Sequence, residues 1–345
     1  MKKITAFLII ILFLVILFTP SSLTADEGVG VFYVVPKIPK NQIDKRQSYF
    51  DLRVKPGSEQ VLNVDIVNNG SEDLIISVSA ISASTASNGM VDYKTPDIRD
   101  DTMKIPFSEI ATPQNESFVL KTGASTVASI DLKIPEEEFD GVILGGLYFS
   151  AAPEKIDEDK LTTSNGVAID NRYSYVLGTT LSETDVKIEP EFQLLEVKAD
   201  VVEYKPAIVH SIRNTEAAIA NNMEMNIDIF KEGSNEPVLK EKKESVDFAP
   251  NSVMNYPFYI DIETIEPGDY ISKINLVSED REQQWNLSKK FTISEKEKER
   301  IQKILEPESP FSPWGYVAAG VIVLLLLIII YLSVKLRKTN QRNGN

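Results

Sequence analysis

The sequence predicts an all-β protein, with two tandem Ig-like β-sandwich domains between an N-terminal signal peptide and one C-terminal transmembrane helix. Three observations carry that expectation. Apolar residues alternate at period two in run after run from Val31 to Phe291, and turn residues separate the runs. Residues Trp314 to Val334 form an uncharged run rich in Leu and Ile, about the 20 apolar residues a helix needs to cross a bilayer. Lys2 and Lys3 precede an apolar stretch from Ile4 to Phe18 and a polar break at Pro20-Ser21-Ser22, which is the layout of a signal peptide.

The two ends set the expected topology. Trp314, Tyr316 and Tyr331 stand near the ends of the C-terminal run, and Lys335, Arg337, Lys338 and Arg342 follow it. Aromatic rings favour the membrane interface, and a short basic flank stays cytoplasmic. The predicted organisation is therefore a signal peptide over 1–25, a first sandwich over 26–155 and a second over 160–295. A charged, proline-containing stalk over 296–313, the membrane helix over 314–334 and a cytoplasmic tail over 335–345 complete it.

Composition excludes several function classes. The formal net charge is −15, so no phosphate-neutralising surface is present for nucleic acid, and anionic lipid headgroups are repelled. Cysteine is absent, which removes thiol catalysis, thiolate metal sites and disulfides. No cofactor or metal is expected. An exported chain without disulfides must be held together by its cores, and the exterior residues suffice for two.

In chain order, strands are expected at 30–35 and 48–54, with the turn Lys55-Pro56-Gly57-Ser58 after the second. Leu62, Val64 and Ile66 alternate with Asn63 and Asp65. Asn68-Asn69-Gly70 closes that run, and Leu74, Ile76, Val78 and Ala80 resume it, which predicts a hairpin. Ser87 to Tyr93 carries another turn, and further strands are expected at 118–120 and 125–134. Gly141 to Phe149 is almost wholly apolar, as in a central strand buried on both faces. Its paired glycines Gly145 and Gly146 mark a bulge, tight sheet packing or a ligand against exposed backbone. Residues 152–159 are polar and charged, and the domain boundary is expected at about 153–165.

The second block predicts strands near 172–181, 192–204, 207–214, 223–230, 245–248, 253–260, 269–278 and 285–293. Within 253–260, Pro257 lacks a ladder donor, so this strand belongs at a sheet edge. Partners add strands to such edges, which makes Tyr256 and Phe258 the candidate protein-binding residues. Glu295 to Leu305 has helical potential and reads as a spacer.

Catalytic chemistry is thin. His210, the single histidine, shares a face with Ile208 and Ile212, and is either a general base or a core strand residue. No Ser or Asp motif accompanies it. Acids cluster at Asp97/Asp100/Asp101, at Glu136 to Glu138 and at Asp157/Glu158/Asp159. They are solvated loop acids, the acid pair of a wall-modifying glycoside hydrolase, or calcium ligands, although no cluster shows the EF-hand ligand and glycine spacing. No G-x-S-x-G, H-E-x-x-H or P-loop motif occurs.

Two ordered sets of motifs resemble a known family. Phe32 to Pro36, Tyr49 to Leu52, Lys55-Pro56-Gly57, Ser87 to Tyr93 and Phe139 to Gly146 resemble the first domain of the WxL-interacting proteins, surface proteins of low-GC Gram-positive bacteria. Asn171 to Gly178, Ile212-Arg213-Asn214, Phe248 to Ser252 and Pro267 to Tyr270 resemble the second. The resemblance implies a non-catalytic scaffold whose first domain binds peptidoglycan. It implies a second domain that engages WxL-domain surface proteins or host extracellular matrix ligands. Glycans are held by aromatic faces and planar polar groups, so the candidate glycan-binding residues are Tyr33, Asn88, Tyr93, Gly145 and Gly146, with Tyr49 as a further aromatic.

Overall fold

The computed structural model describes residues 31–93, 99–153, 173–264, 266–305 and 322–331. The expected signal peptide, residues 306–313 of the stalk, residues 314–321 and 332–334 of the membrane run, and the tail lie outside them. Among the described residues no helix is long and apolar enough to cross a membrane. Residues 322–331 are helical, with their apolar side chains exposed.

Alternation becomes two face-to-face sheets in the first sandwich. Its strands are β1 (Phe32–Lys37), β2 (Phe50–Arg53), β3 (Glu59–Asn68), β4 (Leu74–Ser82), β5 (Ser84–Thr85) and β6 (Val91–Asp92). A one-turn helix, α1 (Phe107–Ile110), leads to β7 (Ala111–Pro113), β8 (Ser117–Leu120), β9 (Ser125–Lys133), β10 (Ile143–Pro153) and β11 (Tyr173–Ser182). One sheet has the order β1-β3-β9-β7 and the other β2-β11-β10-β4-β8. β5 and β6 pair separately. Along the strands of the two large sheets alternate residues point into the shared core, where Phe50, Leu52, Ile66, Ile76, Ile130, Leu147 and Phe149 are fully buried. Each such side chain contributes about 1.5–3 kcal/mol through burial.

Two expectations are corrected here. β3 and β4 do not pair as a hairpin: β3 joins one sheet and β4 the other. Asn68 causes the crossing. Its buried side chain accepts the Gly70 amide and donates to the Glu72 and Leu120 carbonyls, at 2.9–3.0 Å. The backbone thus turns from one sheet to the other with its polar groups satisfied. The sandwich boundary also moves. β11, expected in the second domain, pairs antiparallel with β10 and parallel with β2, so the first sandwich runs through Ser182. Alternation locates a strand without saying which sheet it joins.

The second sandwich sets β12 (Phe192–Val202), β13 (Lys205–Asn214) and β16 (Ser252–Tyr259) against a four-stranded sheet. That sheet holds β15 (Pro237–Phe248), β14 (Ala220–Lys231), β17 (Gly268–Val277) and β18 (Gln284–Ile293). Asn214 repeats the Asn68 device. It accepts the Glu216 amide and donates to the Ala218 and Ala249 carbonyls, again at a crossing between sheets. Phe192 packs on Phe248 and edge-on to Trp285 in the core.

The expected spacer is partly docked. Ser294 and Glu297 form a reciprocal capping box for α2 (Glu295–Leu305), with Ser294 N donating to Glu297 Oε2 at 2.8 Å and Glu297 N to Ser294 Oγ at 3.2 Å. Ile301 is buried in the second core, and Arg300 pairs with Asp200 of β12 at 3.3 Å. The helix belongs to the second sandwich rather than to a free stalk.

Candidate binding sites

The two sandwiches meet through an interface built from loop backbone. The β5–β6 hairpin leans on the second domain: Thr85 Oγ1 accepts the Ala249 amide at 2.9 Å and shares a 2.6 Å hydrogen bond with Ser252 Oγ. At the hairpin turn, the Asp247 amide donates to the Gly89 carbonyl at 2.7 Å. The Val142 amide donates to the Ala217 carbonyl at 2.8 Å. Gly141 lies at φ +80°, and a Cβ there would overlap the same Ala217 carbonyl, so only glycine fits. Arg213 bridges the domains through Asp100, with Nε 2.9 Å from Oδ2 and the carboxylate only 6% exposed. Among the described residues, Asp100 is thus an interdomain anchor and not a free acid.

Thr85 is the sharpest test of this interface. Thr85→Val keeps the shape but leaves the buried Ala249 amide without its acceptor, a change worth about 1–3 kcal/mol. Urea unfolding of the whole chain should report that loss, with faster exchange at the Ala249 amide. Unchanged exchange there would show that Thr85 does not hold the interface.

A cleft of about 460 Å³ opens beside this interface, and both domains line it. Phe107, Phe139, Leu144, Ile188 and Ala217 supply apolar walls, while Glu137, Glu138, Asp140, Glu216 and Lys104 supply charge. Clefts of this size between domains are common places for small ligands. No residue singled out as a glycan binder lines it, because the cleft is assembled from loops that alternation does not mark.

The candidate glycan residues converge only in part: Tyr93, Gly146 and Tyr49 lie together, while Tyr33, Gly145 and Asn88 lie elsewhere. Tyr33 is 42% exposed on β1, in the four-stranded sheet. Tyr93 and Gly146 belong to the outer face of the other sheet, where the Tyr93 ring occupies the space a Gly146 Cβ would need. Burial raises the Tyr93 phenol pKa. Gly145 points the opposite way, against the Phe107 ring in the core. Both glycines serve close packing, not open backbone. Asn88 is exposed at the β5–β6 turn, accepting the Met90 amide at 3.1 Å, beside the second domain. Tyr49, also exposed, lies near Tyr93.

In the second domain, β16 pairs among the described residues only with β13 and so is an edge strand, as Pro257 implies. The contact residues assigned to it are corrected. Tyr256 and Phe258 point inward and are buried in the core, and the Tyr256 hydroxyl donates to Glu241 Oε1 at 2.6 Å. Burial and that carboxylate push the Tyr256 phenol pKa upward. Alternation alone cannot say which face of an edge strand is buried.

His210 is a core residue. Its Nε2 lies 2.9 Å from Ser272 Oγ on the facing sheet, and Nδ1 has no partner among the described residues. Burial pushes its pKa down to about 4. The unfolded imidazole takes its proton near 6.5, so between those values the unfolded state binds more protons. Stability should therefore fall as pH drops from 6.5 towards 4, by about 3 kcal/mol in all. His210→Gln should flatten this part of the profile in urea titrations. An equal slope in both proteins would show that other groups cause it.

Of the remaining acids, Glu136 to Glu138 are exposed, while Asp97 and residues 157–159 lie outside the described residues. No group able to hold a metal ion occurs among the described residues.

The fold and its junction define a tandem β-sandwich protein whose two domains share an interface. Its first part, residues 32–151, matches the family model described as "WxL Interacting Protein, peptidoglycan binding domain". Residues 164–303 match "WxL Interacting Protein, host binding domain". The two models together cover about three quarters of the chain, which belongs to the WxL-interacting protein family. Both models describe binding domains.

No curated protein matches the sequence. Among solved structures, the chain is similar to the CsuC–CsuE chaperone–tip adhesion subunit complex of Acinetobacter baumannii, with 12% identity and a TM-score of 0.32. That match covers 75% of this chain and 98% of the other. It is also similar to a chaperone–tip adhesin complex of CFA/I fimbriae, at 14% identity, TM-score 0.29, and 76% and 98% coverage. A PapD-like domain of human CEP192 matches at 10% identity, TM-score 0.26, and 46% and 87% coverage. Overlaps this low carry no argument.

Proposed function

We propose that the protein is a membrane-anchored, non-catalytic scaffold of the Gram-positive cell surface. Its first sandwich binds wall peptidoglycan, and its second engages WxL-domain surface proteins or host extracellular ligands. The observation that carries this reading is the tandem order of a peptidoglycan-binding and a host-binding family domain in one chain. Anchoring is supported by the uncharged run from Trp314 to Val334 and the basic residues after it. The described helix at 322–331 exposes apolar side chains throughout, an arrangement suited to lipid rather than water.

The test is co-sedimentation with purified sacculi. Residues 31–190, which contain the whole first sandwich, should pellet with sacculi, and residues 183–305 should stay in solution. Retention by the second fragment alone would overturn the assignment of glycan binding. Release of reducing ends from the wall by either fragment would overturn the non-catalytic reading.

A further inference from the structure

None of the candidate glycan-binding or protein-binding residues lines the interdomain cleft. Its walls are apolar at Phe107, Phe139 and Ile188. Its charged groups are unbalanced: Glu137, Glu138 and Asp140 come from the loop entering β10, Glu216 comes from the β13–β14 crossing, and Lys104 is the single cation lining it. None of the four carboxylates has an ion-pair partner among the described residues. Glu183 adds charge behind the wall. Its Oε2 accepts the Phe139 amide at 3.0 Å, and its Oε1 is buried with no partner among the described residues. Carboxylates set around low-dielectric walls focus a negative potential into the cleft. The hydrogen bond from Val142 to Ala217 fixes the floor between the domains, so the site is formed before anything enters it.

We propose that this cleft takes a short peptide bearing a primary ammonium next to small apolar side chains, namely the stem peptide of the wall polymer. The proposal rests on the peptidoglycan reading and extends it from glycan to peptide. Charge complementarity selects the occupant. The ammonium of the diamino acid meets Glu138, Asp140 and their neighbours, a terminal carboxylate meets Lys104, and alanine methyl groups meet the apolar walls. A cleft of about 460 Å³ suits a few residues rather than a folded partner.

The experiment is calorimetric titration of the purified full chain in detergent with the synthetic pentapeptide N-acetyl-L-Ala-γ-D-isoglutaminyl-L-Lys-D-Ala-D-Ala, whose only ammonium is the lysine side chain and whose only carboxylate is terminal. Binding should weaken at least tenfold when the lysine side chain is acetylated, and again in the double variant Glu138→Gln, Asp140→Asn. Both positions are exposed, so the variant should keep its thermal midpoint. Equal affinity for the acetylated peptide, unchanged affinity in the variant, or no binding at all would overturn the proposal. Co-sedimentation of the same preparations with sacculi separates the two readings. Retention on sacculi without peptide binding removes the cleft and leaves the peptidoglycan assignment standing, whereas loss of both removes both.

Discussion

A fragment ending at residue 155 is expected to show no cooperative unfolding, whereas one ending at 190 unfolds in a single transition. The difference is β11. It lies between β2 and β10, paired with β10 from Ile143↔Leu181 to Ala151↔Tyr173 and with β2 from Thr179↔Phe50 to Ser182↔Arg53. Leu177 and Leu181 are buried in the first core, and Tyr175 meets Phe32 edge-on with ring centroids 4.9 Å apart. Removing the strand withdraws Leu177 and Leu181, each worth about 1.5–3 kcal/mol, together with the half-buried Tyr175. It also strips one side of the β10 ladder and isolates β2 from its sheet. The sum approaches the roughly 5–15 kcal/mol that holds a domain together. The two matched family segments end at 151 and begin at 164, so a fragment cut between them loses the strand. Urea titration followed by circular dichroism reads the outcome. A sigmoidal transition in residues 31–155, with the slope expected for that chain length, would show that β11 is dispensable.

Strand positions were legible because period two survives wherever one face of a strand is buried, as Leu62, Val64 and Ile66 show. Three things were not. Sheet membership depends on long-range pairing, so β11 and the β3–β4 crossing were misplaced although both had visible alternation. β15 is longer than expected because its first half, Pro237 to Lys243, is an edge stretch of Lys and Glu with little burial. Charged edges deter unwanted pairing and hide the strand pattern at the same time. The junction was illegible for a third reason. Its contacts run between backbone groups and short polar side chains, such as Thr85, Ala217 and Asp100, and no local pattern distinguishes these from ordinary loop residues. One signal was available: Asn68 and Asn214 each end an alternating run and begin a turn, and this recurrence marks equivalent crossings in the two sandwiches. The paired glycines, read either as packing or as a ligand seat, resolve to packing against Phe107 and Tyr93.

Phe258→Ala is expected to destabilise the second sandwich by about 3–5 kcal/mol, the usual range for truncating a buried phenylalanine. Phe258 is 4% exposed and packs in the core with Ile208, Met254 and Tyr256. Its ring lies 6.5 Å from the His210 imidazole, which is itself tied to the facing sheet through Ser272. Truncation therefore opens a cavity between the sheets, beside a buried polar pair that tolerates little movement. A charge at this position would be worse, since a carboxylate buried without a partner loses its hydration and gains nothing in return. The neighbouring Tyr259 is the control. It points outward from the same edge strand, is 41% exposed, and reaches Glu203 through a 3.3 Å hydrogen bond. Tyr259→Ala should remain within about 0.5 kcal/mol of the parent, as surface changes do. Urea denaturation of residues 183–305 with each substitution measures the contrast. Equal losses at 258 and 259 would mean that β16 does not present its even-numbered side chains to the core. If the contrast holds, any partner docking on this edge meets Val253, Asn255 and Tyr259 together with the free backbone of β16. Interface variants would then belong at those positions, where binding changes without loss of the fold.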